Sequence, residues 1–96
     1  MTIGVIATIK VLDGKNEEFE AAFAQLTEQV LANEEGTLFY ALNRSKSDPQ
    51  VYKVLEQYRS QEDLQLHGQT EYFKAANQVM ASCVAAAQEI EVLDGV

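Results

Sequence analysis

The chain has one cysteine, one proline, one histidine and no tryptophan in 96 residues. A single cysteine, Cys83, forms no internal disulfide and fits a reducing cytoplasm, which is the expected location. One Cys with one His cannot supply a zinc site within one chain, so no metal is expected. Basic residues are also scarce, seven against fifteen acidic, and the net charge is −8. Such a surface repels phosphate backbones and anionic headgroups, so neither nucleic acid nor membrane is an expected partner. No apolar run reaches the ~18 residues of a membrane span. The start, MTIGVIATIK, lacks the basic, apolar and small-residue segments of a secretory leader, and none is expected. There is no GxGxxG, P-loop, HExxH, CxxC or GxSxG, and hence no recognisable cofactor chemistry.

What is present is an ordinary globular composition, 47% hydrophobic and 23% charged, with no linker or repeat. Residues 1–96 read as a single domain, able to bury roughly 60–65% of its unfolded surface. Ile3, Val5, Ala7, Ile9 and Val11 recur at period two and predict a first strand. Asp13-Gly14 turns the chain. Asn16 is placed to cap a helix with Glu17 and Glu18 in its first turn. Phe19, Ala22, Phe23, Leu26 and Val30 give that helix one apolar face, and Gly36 is expected to stop it. TLFYALNRS, with Leu38, Tyr40 and Leu42 on one side, and VYKVLEQY, with Tyr52, Val54, Glu56 and Tyr58 on one side, flank a Ser-Asp-Pro loop and predict a hairpin.

Ser60 and Asp63 approximate a capping box for a short helix over Gln61–His67, which Gly68 would end. Thr70 caps another helix, whose apolar stripe runs from Tyr72 and Phe73 to Val84 and Ala87. EIEVL closes the chain as a strand. The order β-α-β-β-α-α-β predicts a ferredoxin-like α+β fold with a four-stranded antiparallel sheet. Helices on one face leave the other bare. With Ile6 and Leu12 making that side partly apolar, a homodimer joining two sheets is the simplest cover.

Several polar side chains stand out against this frame. His67 follows Leu64 on one helical face. It either bonds a backbone carbonyl at the Gly68 break or serves as a base at a pocket mouth, its ordinary pKa of ~6.5 suiting proton transfer. Glu56 shares a strand face with two tyrosines and a valine. It either pairs with Arg44 or Arg59 or is a base of raised pKa. Tyr40, Tyr58 and Tyr72 fit a pocket for a flat aromatic molecule, but each taken singly is more commonly a half-buried packing residue of its strand or helix. Cys83 belongs to an apolar stripe and reads as inert core.

These residues fall in a fixed order: Glu35-Gly36, Tyr40, Asp48-Pro49, Glu56-Gln57-Tyr58, then His67-Gly68-Gln69-Thr70-Glu71-Tyr72-Phe73. The ordered set, with the flanking strands and long helix, resembles the antibiotic biosynthesis monooxygenase family over essentially the whole chain. That resemblance implies a dimeric α+β barrel with a pocket between helices and sheet. It implies oxygenation of quinols, polyphenols or anthrone-type rings by O₂, without metal or flavin. On it, His67 is the expected base, with Tyr40, Glu56, Tyr58, Tyr72 and Phe73 around the substrate. A haem-degrading branch carries Asn on the first strand and Trp and His on later helices. Here those places hold Ala7, His67 and Asn77, so haem is not expected. The family commonly has Trp where Tyr58 stands and often His where Tyr72 stands; the second change removes a group that titrates near pH 7. The expectation is a cofactor-independent monooxygenase of a small aromatic substrate with O₂. The alternative is a non-catalytic small-molecule-binding module on the same fold.

Overall fold

The alternating strands and the amphipathic helix form much as their patterns require. The computed structural model describes residues 1–96 as β1 (Ile3–Lys10), α1 (Asn16–Asn33), β2 (Thr37–Arg44) and β3 (Val51–Tyr58), followed by α2 (Gln61–Gln69), α3 (Glu71–Met80), a 3-10 turn over Ala81–Cys83 and β4 (Glu89–Asp94). The sheet order is β2-β3-β1-β4, every neighbour antiparallel. This is the ferredoxin-like arrangement, with the second helix broken in two. No helix is long and apolar enough to cross a membrane.

Register sets the inner face in rows. Val92, Val5, Glu56 and Tyr40 lie side by side across all four strands, and Ile90, Ala7, Val54 and Leu42 form the next row. Onto these rows α1 lays Phe19, Phe23, Leu26 and Val30, all buried. Phe19 packs tilted against Tyr52, with ring centroids 4.9 Å apart, and Phe23 stacks on Tyr40 at 5.6 Å. The core therefore sits between the sheet and α1, and α3 adds Met80 at one end.

Local expectations fail at five places. Lys15, not Asn16, takes the N-cap position of α1. The Asn16 amide instead donates to the Pro49 carbonyl and the Tyr52 hydroxyl, both at 2.9 Å, and ties the helix start to the hairpin. At the far end α1 stops at Asn33 rather than at Gly36. Gly36 has a different purpose, since a Cβ there would collide with the Asp63 carboxyl group. In β2 a bulge between Thr37 and Phe39 inserts Leu38. Thr37 and Tyr40 then face inward and Leu38 is exposed, which breaks the simple alternation. α2 passes through Gly68 and ends at Thr70, whose hydroxyl donates to the His67 carbonyl at 3.1 Å and accepts from Phe73 N–H at 3.3 Å. Finally, α3 stops at Met80 because the end of β1 claims the backbone beyond it. Leu12 N–H bonds Cys83 O at 2.7 Å, Ala85 N–H bonds Lys10 O at 2.8 Å, and Val84 bridges Val11.

The outer face of the sheet carries Ile6, Phe39, Leu55 and Leu93, with Leu38 at the bulge, and no helix covers it. Leu12 lies past the end of β1. The apolar patch is therefore broader than Ile6 and Leu12 alone suggest, because the bulge turns two consecutive large side chains outward.

The packing distinguishes the two faces of α1 sharply. Phe19 is 1% exposed and Leu31 is 56% exposed. Phe19→Ala is expected to cost about 3–5 kcal/mol in urea unfolding. Leu31→Ala should change stability by no more than about 0.5 kcal/mol. Comparable losses from both would contradict this packing.

Candidate active site

A cavity opens where the inner face is thinnest. Ala7 is the small residue of its row, between Ile90 and Val54. Above it the break between α2 and α3 leaves a space of about 180 Å³. Phe23, Leu26, Phe73 and Met80 supply apolar walls, with Val5 and Val54 on the floor. Ile90 and Val92 also line it yet stay 53% and 54% exposed, which puts the mouth on the β4 side.

His67 enters from α2 and is only 4% exposed. Its ring packs against Phe73, Tyr40 and Tyr58 with centroids 4.6, 5.1 and 5.4 Å away. Nδ1 lies 2.9 Å from Glu34 Oε1. No backbone carbonyl near Gly68 is involved. The same carboxylate accepts the Thr37 hydroxyl at 2.8 Å on Oε1 and the Tyr72 hydroxyl on Oε2. A carboxylate only accepts, so Nδ1 carries the proton, and in the neutral ring Nε2 is left with its lone pair. Nε2 has no partner in the chain, yet no buried polar side-chain atom is both sealed and unbonded. Nε2 therefore keeps accessible surface, and His67 lines the cavity.

The same reasoning applies to two neighbours. Glu56 Oε1 accepts the Tyr58 hydroxyl at 2.5 Å, while Oε2 is unbonded and not sealed. The Tyr40 hydroxyl is also unbonded and accessible. Neither arginine reaches Glu56: Arg44 pairs with Glu20 at 3.2 Å, and Arg59 with Asp63 at 3.1 Å. Burial pushes Glu56 up to about 7, against the pull of the Tyr58 hydrogen bond, and the Glu34 charge pushes the same way as burial. Burial and the adjacent carboxylates raise Tyr40 and Tyr58 far above the ordinary phenol value. Tyr72 is pushed up to about 12, by burial and then by its bond to Glu34. All three tyrosines thus stay protonated donors at neutral pH.

The chain brings together four of the six residues singled out from sequence. Tyr40, Glu56, His67 and Phe73 line the cavity. Tyr58 does not; it is fully buried behind Glu56 and against His67. Tyr72 lies on the far side of Glu34, in an outer groove. Glu34 was not among the expected site residues, and neither was Gln88 at the cavity wall. A signal for Glu34 existed. Two consecutive acids at the negative end of a helix with no basic residue in its last turn oppose the helix dipole. Cys83 is buried, and its thiol donates to Glu18 at 3.0 Å, away from this cluster.

The Glu56 environment has a measurable consequence. Its pKa in the folded protein, about 7, exceeds the ordinary 4.5, so folding favours the protonated form. Below about 4.5 the group is neutral in both states and costs nothing. As pH rises from there to about 7 the unfolded chain sheds a proton that the folded chain keeps, and stability falls. Glu56→Gln, which retains an acceptor for Tyr58, should remove that slope. Relative to the parent it should gain on the order of 2–3 kcal/mol on going from pH 5 to pH 8. Urea unfolding of both proteins at both pH values measures this, and parallel pH profiles would contradict it.

With this geometry in place, comparison with known proteins gives a consistent result. The family model described as antibiotic biosynthesis monooxygenase matches residues 2–79. A Caulobacter crescentus protein named only provisionally as an antibiotic biosynthesis monooxygenase is 52% identical, with 99% of this chain and 90% of that one superimposed at a TM-score of 0.97. A conserved Methanosarcina mazei protein is 26% identical over 97% of this chain and 91% of that one, at a TM-score of 0.92. A Nitrosomonas europaea protein with the same provisional name shares the fold at 22% identity, over 99% of this chain and 90% of that one, with a TM-score of 0.95. Among curated proteins none matches. The chain belongs to the antibiotic biosynthesis monooxygenase family, whose fold is a dimeric α+β barrel.

Proposed function

We propose that the protein is a cofactor-independent monooxygenase that oxidises a single-ring quinol or related phenol with O₂. One observation carries the reading. A largely apolar cavity is lined by His67, Glu56 and Tyr40, whose Nε2, Oε2 and hydroxyl have no partner in the chain, with the Asn77 and Gln88 amides also in its wall. Apolar walls with a few convergent polar groups are the usual form of a small-molecule site. The volume narrows the class. A dry cavity of ~150 Å³ takes up benzene, so about 180 Å³ admits one ring, and a fused three-ring substrate would protrude past Ile90 and Val92.

The chemistry follows from the side chains. Nε2 accepts the proton of a ring hydroxyl, and the phenolate so formed is electron-rich enough to reduce O₂ by one electron. The partners then combine at a ring carbon. The Tyr40 hydroxyl donates to negative charge developing on oxygen, and the apolar walls exclude water from the intermediates. Protonated Glu56, near its midpoint at neutral pH, supplies a proton as the O–O bond breaks. Quinol plus O₂ gives hydroxyquinone plus water. The ring supplies all four electrons, so no external reductant enters.

The family's dimeric barrel and the outward-facing Ile6, Phe39 and Leu55 support a homodimer joined through the outer sheet face. Light scattering with size exclusion should report about twice 10.7 kDa. Leu55→Asp, which puts a charge in that patch, should shift the mass to the monomer. A parent chain that runs as a clean monomer contradicts the barrel assembly.

An oxygen electrode with hydroquinone, catechol and a three-ring hydroxyanthracene tests the reaction. Uptake is expected with the single rings, and ¹⁸O₂ should place one labelled oxygen in the product and one in water. His67→Ala should lower turnover by about 10²–10⁴ when assayed well below its melting temperature, which also falls because a buried ring and its bond to Glu34 are lost. Saturable binding of these rings with no oxygen uptake would assign the chain instead to small-molecule binding without catalysis.

A further inference from the structure

We propose that Glu34 is a positioning residue and proton carrier that connects His67 in the cavity to an outer polar groove. The proposal deepens the oxygenation reading and rests on it for the identity of the proton donor. A base buried in an apolar cavity has a problem that its own pKa does not solve. Once Nε2 has taken a proton, the ring carries a charge against apolar walls until a product oxygen takes that proton. The cavity offers few polar groups to receive that proton, and its mouth is blocked while substrate is bound.

The geometry supplies a second exit. His67 lines the cavity and not the groove, whereas Glu34, Thr37 and Tyr72 line the groove and not the cavity. The groove is a separate space of about 650 Å³, with only two hydrophobic residues among the eleven that border it. Glu34 Oε1 meets Nδ1 at 2.9 Å on one side. Thr37 and Tyr72 hydroxyls hold the carboxylate in place on the other. No arginine or lysine neutralises it: its one ion-pair partner is His67, and Arg59, which borders the same groove, is committed to Asp63. Glu34 is 11% exposed and His67 5% by side chain, so the pair is shielded but not sealed.

The transfer balances without any added reagent. The substrate hydroxyl gives its proton to Nε2, and Nδ1–H passes its own to the Glu34 carboxylate. The imidazole is neutral again, now with its hydrogen on Nε2. Glu34, now a carboxylic acid, gives the proton to water in the groove. As the product water forms, Nε2–H gives it one proton and Nδ1 takes one back from groove water through Glu34, so each turnover exports and re-imports one proton and the ring regains its Nδ1–H form. Between turnovers Glu34 has a second effect: by accepting from Nδ1–H it fixes the tautomer that leaves Nε2 unprotonated and facing substrate.

The chain holds a single imidazole, so its ¹⁵N signals need no assignment. Uniformly ¹⁵N-labelled protein at a pH where the ring is neutral should show the Nδ1–H tautomer in the parent. Glu34→Gln, whose amide can donate as well as accept, should show a tautomer mixture, and Glu34→Asp should retain the parent pattern more closely. A parent ring in the Nε2–H form, or a Glu34→Gln spectrum identical to the parent, overturns the positioning role without reference to activity. The carrier role is read with 4-nitrophenol, whose ionisation is visible, at a pH where the free dye is protonated. Stopped-flow mixing should show phenolate forming on binding in the parent, at least tenfold more slowly in Glu34→Gln, with the rate restored by added formate entering through the groove. Dye that binds and ionises equally fast in Glu34→Gln overturns the relay. Dye that does not bind overturns the phenol reading instead, and the tautomer result still decides Glu34. Melting temperatures of both variants within a few degrees of the parent exclude misfolding as the cause, and Glu34→Asp provides the check if Glu34→Gln unfolds.

Discussion

The carboxylate of Glu34 is held by donors from three other elements: Thr37 at the start of β2, His67 on α2 and Tyr72 on α3. Its own position, the C-cap of α1, makes it the joint of four elements. The helix dipole opposes a negative charge there, and no basic side chain in the last turn relieves it. Three hydrogen bonds to a charged acceptor, each worth about 1.5–3 kcal/mol, offset that cost. A local rule is broken where several elements meet, and functional sites are where such violations concentrate. Removing this carboxylate would loosen both the break between α2 and α3 and the orientation of the one imidazole, and the cavity is built around those two features.

Cavity and carboxylate depend on each other through register. The row Val92-Val5-Glu56-Tyr40 places an acid in an apolar strip, and burial there brings Glu56 near neutrality. Tyr58, behind it, spans the gap between the two acids: its hydroxyl bonds Glu56 and its ring packs on His67. The bulge at Leu38 is part of the same arrangement. It turns Thr37 inward toward Glu34 and sends Leu38 and Phe39 to the outer face, so one inserted residue shapes both the site and the sheet surface that a second copy would cover.

Much of this was legible in the sequence because it rests on periodicity. The strands, the buried stripe of α1, the capping residues Ser60 and Thr70 and the inner face of β3 follow from spacing and local chemistry. What was not legible rests on contacts between distant segments. Asn16 has the chemistry of a cap, but tertiary partners on the hairpin take its amide. Gly68 looks like a helix terminator, yet the capping hydroxyl of Thr70 decides the end. Arg44 and Arg59 are plausible partners for Glu56 by composition, and only the register places Tyr58 there. Glu34 sits among acids that oppose the helix dipole, which is its one local signal, and its 33-residue separation from His67 hides the partner.

In the proposed reaction His67 Nε2 faces a bound single-ring phenol while Nδ1 remains on Glu34. Titration of the ¹⁵N-labelled protein with phenol under anaerobic conditions, where no oxygenation proceeds, is the decisive experiment. A saturable shift of the Nε2 resonance is expected, with Nδ1 moving far less. Saturable phenol binding that leaves Nε2 unmoved would put the ligand elsewhere and rule out this arrangement.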